Sequence, residues 1–177
     1  MNVAIVGATG YGGIQAVNLL KNNRNYKISY LGGNKTAGSK WNDNFPFILL
    51  NSDPLIESIS VDSISKKADI ALLCLPNGIS STLTRGLLER GVKVIDLSAD
   101  YRYKSLDEWK KVYSKEAAIY KRSDDDLCKE AVYGLPEINK EAISKGRLIA
   151  CPGCYPTSAL IPLAPYLSQG IIENEGI

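Results

Sequence analysis

Histidine is missing from all 177 residues, which removes the commonest general base and the commonest metal ligand. Any chemistry must therefore use Cys, Asp, Glu, Lys or Tyr, or be completed by residues outside this sequence. Cysteine is scarce, at four, too few for a disulfide scaffold in a chain this long, so reduced thiols are expected. No apolar run approaches the ~20 residues that cross a bilayer. Met1 leads straight into an apolar strand pattern, without a basic leader and cleavage site. The expectation is a cytoplasmic protein with no membrane partner. Charge of one sign does not dominate: 21 basic side chains stand against 19 acidic ones, too weak a field to hold a nucleic-acid backbone, and no nucleic-acid partner is expected. Repeats and low-complexity tracts are absent as well. With 45% hydrophobic residues, the composition is that of an ordinary globular protein of one domain, or one and a part.

What is present alternates between two periods. Asn2 to Val6 is a β-branched apolar run and reads as a buried strand; Gly12 to Leu20 then places Ile14, Val17, Leu19 and Leu20 near helical spacing. Tyr26 to Leu31 reads as a second strand, and residues 34 to 54, rich in Gly, Asn, Asp, Ser and Pro, as a long connection. Ile59 to Val61, Ile70 to Leu75 and Val92 to Leu97 are further strands, with a helix from Ser80 to Arg90 between the last two. Strands alternating with helices, some too apolar to face water, predict an α/β fold of Rossmann type, a doubly wound and mostly parallel sheet covered on both faces. Beyond Leu97 the spacing predicts a polar helix over Leu106 to Tyr120 and a strand over Arg147 to Ala150. Asp124-Asp125-Asp126 reads as a solvated loop rather than a metal site. Pro156, Pro162 and Pro165 predict that any helix over Tyr155 to Leu167 is short or kinked, and Ile171 to Ile177 reads as a turn and the start of a strand.

Gly7-Ala8-Thr9-Gly10-Tyr11-Gly12-Gly13 joins the first strand to the first helix. Glycines there tighten the turn, let main-chain amides approach a pyrophosphate and let helix and strand pack closely, which favours dinucleotide binding over a plain turn. A site selective for NAD usually places an acid at the end of the second strand. Here no acidic residue occurs before Asp43, against five basic ones, Lys21, Arg24, Lys27, Lys35 and Lys40. That imbalance predicts NADP, with Lys35 taking the 2′-phosphate and Asn34 or Thr36 assisting; for the other lysines a surface role serves as well.

Four readings compete for Cys151-Pro152-Gly153-Cys154. Zinc needs a second pair of ligands, and Cys74 and Cys128 are isolated in sequence, so no metal is expected. A redox pair, a structural turn and a single nucleophilic thiolate remain open.

These motifs, with Leu97-Ser98-Ala99-Asp100-Tyr101-Arg102 and Val132-Tyr133-Gly134-Leu135-Pro136-Glu137, resemble the N-acetyl-gamma-glutamyl-phosphate reductases, a family related to aspartate-semialdehyde dehydrogenase. The resemblance implies NADPH-dependent reduction of an acyl phosphate through a cysteine thioester, with Cys154, after Pro-Gly, as nucleophile and backbone N–H groups near Gly153 and Cys154 as oxyanion donors. It implies that Pro76-Asn77-Gly78 forms the nicotinamide-side loop beside Gly7, Thr9, Gly10, Tyr11, Gly12 and Gly13. It assigns Arg102 to a carboxylate or phosphate of the substrate, against which an ion pair with Asp100 stands as the structural alternative. Tyr155 and Thr157 are expected to shape the turn, and no role follows for Tyr133, Pro136 or Glu137. Cys151, where the family commonly has asparagine, could trap Cys154 as a disulfide. The family's enzymes are about twice as long, homo-oligomeric in expectation, with a catalytic histidine in a second α+β domain. The expectation is thus a cofactor domain over residues 1 to 150 and the start of an incomplete catalytic domain over residues 151 to 177. An amino-adipyl-phosphate reductase, a stand-alone NADP-binding module and a thiol-disulfide oxidoreductase are the alternatives.

Overall fold

The computed structural model describes residues 1–173 and residue 175. Seven strands, β1 (Asn2–Val6), β2 (Lys27–Gly33), β3 (Glu57–Ser58), β4 (Ile70–Leu73), β5 (Lys93–Asp96), β6 (Val132–Tyr133) and β7 (Leu148–Ala150), form one sheet in the order β3-β2-β1-β4-β5-β7-β6. Every pairing between them is parallel. The order reverses direction between β1 and β4, which opens the crevice at the carboxyl ends where ligands bind in such sheets.

Alternation along β1 sends Val3 and Ile5 to one face and Ala4 and Val6 to the other, so each face has its own core. On the first face α1 (Tyr11–Leu20) and α2 (Trp41–Asn44) close over Ile5, Leu31 and Ile56. On the second, α3 (Val61–Lys67) and α4 (Ser80–Glu89) bury Val6, Leu73 and Val94. The α1 face of β4 and β5 carries an apolar groove of about 630 Å³ lined by Leu19, Leu72, Ile95, Leu97, Cys151 and Pro152.

The helices α5 (Leu106–Val112), α6 (Ser114–Ile119), α7 (Asp125–Glu130), α8 (Pro136–Lys145) and α9 (Cys154–Ser168) complete the described chain. The strand expected over Ile59 to Val61 lies earlier, at Glu57–Ser58, because the Ser60 hydroxyl accepts the Ser63 amide and starts α3 at Val61. The single helix expected over Leu106 to Tyr120 breaks at Tyr113 (φ −105°, ψ 52°), and its Trp109 is wholly buried. The Asp124 to Asp126 run opens helix α7 rather than lying in a loop. Its Asp124 is buried against Arg122, while Asp126 meets Arg85 at the surface. Helix α9 runs 15 residues through Pro162 and Pro165, longer than expected. Pro156 falls in its first turn, where the amide has no intrahelical acceptor, and the other two prolines each cost one main-chain bond on a helix that buries no residue. The segment expected to begin a strand at Ile171 lies partly outside the described residues.

Candidate active site

Five loops at the carboxyl edge of the sheet, after β1, β2, β4, β5 and β7, hold the predicted residues. After β1, Gly7 takes φ +80°, and its amide and that of Ala8 both donate to Gly32 O at 2.9 Å. A side chain at Gly7 would strike the Cys74 carbonyl group, with its carbon 3.0 Å away. At Gly13 a Cβ would meet Gly7 O and come within 2.6 Å of Ala8 Cα. The glycines thus let strand, turn and helix close on one another. Ile14 N–H makes the first helical bond, to Gly10 O, so the Tyr11, Gly12 and Gly13 amides have no intrahelical acceptor. No acid occupies that first turn. A cradle of this kind fits a pyrophosphate, with Tyr11 95% exposed at its lip. At the end of β2, Asn34 and Lys35 are exposed, and Thr36 Oγ1 is buried without a hydrogen-bond partner.

After β4, Gly78 takes φ +83° under the ring of Tyr120, whose Cε2 would lie 2.7 Å from a Cβ there. Pro76 is exposed, and Asn77 Oδ1 accepts the Ala99 amide at 2.9 Å. Asp100, which the sequence reading did not select, accepts the amides of Gly78 (2.6 Å) and Ser81 (2.9 Å) from a fully buried carboxylate. Beside it Asp96 is also fully buried and accepts the Ser98 amide and hydroxyl. Burial, opposed by those bonds, pushes the Asp96 carboxyl up to about 6.

After β7 the cysteine turn leads into α9. Cys154 is exposed at the first helical position. The first bond of α9 runs from Thr157 N–H to Gly153 O at 3.0 Å, and the Thr157 hydroxyl donates to the same oxygen. The Cys154 and Tyr155 amides therefore have no intrahelical acceptor and can take an oxyanion. Arg102 does not pair with Asp100. Its Nε donates to Cys151 O at 2.7 Å and its Nη2 to Leu97 O at 3.0 Å, while Nη1 rests against Gly153, 3.3 Å from where a Cβ would stand. Cys151 is half-buried, and burial, with the charge of Asp96, pushes its thiol up to about 11. Burial likewise pushes Cys74 up to about 12. These two flank β5, roughly 9.6 Å apart by strand spacing, beyond disulfide reach. Among the described residues no group of three or more His, Cys, Asp or Glu could hold a metal ion.

A continuous set of contacts thus joins the β2 end to the glycine turn, the glycine turn to Cys74, Asn77 to Ala99 and Arg102 to the cysteine turn. Chemically the edge offers an anion-binding helix start, a left-handed loop beside it and an exposed sulfur backed by free amides. The buried carboxylate of Asp100 left no sequence signal, since its partners are main-chain amides 19 and 22 residues upstream.

A family model described as "Semialdehyde dehydrogenase, NAD binding domain" matches residues 2–146. Over all 177 residues the chain is 90% identical to an N-acetyl-gamma-glutamyl-phosphate reductase of Prochlorococcus marinus strain MIT 9215, and over 175 residues it is 53% identical to that of strain MIT 9211. These matches cover 100% and 99% of this chain but 50% and 49% of those relatives, so the chain spans about half the length of the curated relatives it matches. Among solved structures, aspartate semialdehyde dehydrogenase II of Vibrio cholerae complexed with ASA aligns with a TM-score of 0.63 at 24% identity, covering 94% of this chain and 46% of that one. The Candida albicans aspartate semialdehyde dehydrogenase with NADP aligns at 0.62 and 19%, covering 94% and 46%. At such identities the likeness shows the shared fold.

Proposed function

The chain belongs to the semialdehyde dehydrogenase family through its NAD-binding domain, and from that premise we propose that it is the cofactor-holding half of an NADPH-dependent acyl-phosphate reductase. The reaction is reduction of N-acetyl-glutamyl 5-phosphate to N-acetyl-glutamate 5-semialdehyde, in arginine biosynthesis. The observation that carries the reading is the contact path along one sheet edge from the glycine turn, through Asn77 and Ala99, to Arg102 and the Cys154 turn. The names of the relatives support the glutamyl substrate over an amino-adipyl one. The raised thiol of Cys151 weighs against a thiol-disulfide oxidoreductase.

In this reading the Tyr11, Gly12 and Gly13 amides receive the pyrophosphate, Lys35 the 2′-phosphate, and the 76–78 loop the nicotinamide side. The Cys154 sulfur attacks the acyl carbon; a C–S bond forms, the C–O bond to phosphate breaks, and a thioester and inorganic phosphate result. NADPH, when bound, supplies the hydride. The Cys154 and Tyr155 amides hold the oxyanion, and its collapse breaks the C–S bond, returning the thiolate and releasing the aldehyde. Arg102 keeps its Nη1 edge for a substrate anion. The cofactor domain ends with β7 at about residue 150, the catalytic domain begins at the cysteine turn, and the full-length enzyme is a cytoplasmic homo-oligomer.

Calorimetry of the 177-residue chain tests the cofactor assignment. NADP should bind more tightly than NAD, and Lys35→Glu should weaken NADP by ~10-fold or more, the scale of one hydrogen bond to a charged group, without weakening NAD. Equal affinities in the unmodified chain would overturn it. For the chemistry, Cys154→Ser in the full-length enzyme should abolish turnover, and retained turnover would remove Cys154 from the mechanism.

A further inference from the structure

The segment after β5 reaches in two directions. Toward β4, the Asp100 carboxylate holds the Gly78 and Ser81 amides, and Ala99 N–H holds Asn77. Toward β7, the Arg102 guanidinium spans the Leu97 and Cys151 carbonyls and packs on Gly153. A third contact braces the segment from behind: Asp100 O accepts Arg122 Nη1 at 2.6 Å. The Arg122 side chain is 3% exposed and lies over the rings of Tyr101 and Trp109, 4.9 and 4.5 Å from their centroids.

We propose that Asp100 and Arg102 are a pair of positioning residues that together set the separation between the 76–81 loop and the Cys154 turn. The inference rests on the proposed function for what those loops carry; it adds Asp100, whose effect passes through other groups, and gives Arg102 a positioning role through Nε and Nη2 beside the Nη1 edge kept for substrate. Capping α4 alone does not require a fully buried acid, because exposed Ser, Thr or Asp at a helix start does the same work, whereas a charge taken wholly out of water must be met by several donors. Asp100 has two, on the loop that must be fixed. For Arg102, a planar fork reaches two carbonyls at once, which a lysine ammonium on its flexible stem does not reproduce. One residue separates Asp100 from Arg102, so each arm ties its own loop to the same short piece of chain, which Arg122 holds from behind.

Amide hydrogen exchange on the 177-residue chain reads the two arms separately. Asp100→Asn should speed exchange at Gly78 and Ser81 by about tenfold or more, the scale of one charged hydrogen bond, and leave the 151–158 segment unchanged. Arg102→Lys should do the reverse. In parallel, Asp100→Asn should weaken NADP binding with the pH profile of Cys154 alkylation by iodoacetamide intact, and Arg102→Lys should displace that profile with NADP affinity intact. If Asp100→Asn does not fold, Asp100→Glu, which keeps the charge on a longer side chain, takes its place in the same measurements. Both segments loosening together in either variant, in step with a fall in melting temperature, would reduce the pair to ordinary structural residues, and no change in either segment would also overturn the proposal. Absence of NADP binding in the unmodified chain defeats the functional reading instead, while the exchange arms still decide the positioning role.

Discussion

One methyl group at either of two adjacent glycines should have opposite effects. Gly12 and Gly13 both lie in the first turn of α1. At Gly12 the nearest atom to a new Cβ is Leu97 Cδ2 at 3.6 Å, ordinary contact. At Gly13 the same carbon would stand 2.6 Å from Ala8 Cα and 2.7 Å from Ala8 C, with Gly7 O closer still. All three are main-chain atoms fixed by the Gly7 and Ala8 bonds to Gly32 O. Replacing glycine by alanine in a helix gains ~0.5–1 kcal/mol where space allows. Overpacking against backbone costs ~1–3 kcal/mol, so Gly13→Ala should lose roughly 2 kcal/mol net where the clash is at the upper end. For a domain of this size 1 kcal/mol moves the melting temperature by ~2–4 °C. Gly12→Ala should therefore melt slightly above the unmodified chain and Gly13→Ala ~4–8 °C below it, by circular dichroism with a urea titration as check. Equal melting of Gly13→Ala and the unmodified chain, or an equal fall in both variants, would refute the close-approach argument.

Asp96 predicts a pH dependence. Its carboxyl is raised to about 6, first by burial, so the folded state holds the proton more tightly than the unfolded chain. The stabilisation is complete below about pH 4 and is lost as pH rises through about 6, roughly 3 kcal/mol in all. Asp96→Asn should flatten stability between pH 4 and 7 in urea titrations; an unchanged slope would assign the dependence to other groups. Arg122, nearly buried and bidentate on Asp124, should cost ~3–5 kcal/mol when replaced by alanine, because Asp124 is left without its partner. A loss below ~1 kcal/mol in the same titration would mean that the pair behaves like one in open solvent.

The strands that carry the edge were legible because their sequences are nearly all apolar: Ala4-Ile5-Val6, Ile70 to Leu73 and Val92 to Ile95 admit few other readings in a covered sheet. The glycine turn was legible for the same reason in reverse, since nothing but glycine tolerates the approach of Gly13 to Gly7. Strand β6, two residues long, exists only by pairing with β7, and α8 buries no residue, so neither left a periodic trace. Val61, β-branched, pointed to a strand until Ser60 is seen as a cap. Arg102 was singled out by its motif, yet its bonds are to main-chain carbonyls, which no side-chain pattern records. In sequence Asp100 offers itself only as a partner for Arg102, and the amides it holds belong to residues with no acidic or basic character to announce them.

Helix α9 keeps all fifteen residues out of the core; Tyr155 stands largely in water, and Ile161 and Tyr166 are about half exposed. A rod roughly 22 Å long, greasy along much of its length, therefore begins at Cys154, the exposed one of the four cysteines. Such surfaces adhere to their own kind. In a concentrated preparation of these 177 residues, clumping along the rod and intermolecular S–S bonding at its tip should reinforce each other, so dilute samples with fresh reductant are the conditions in which that sulfur stays available to a reagent.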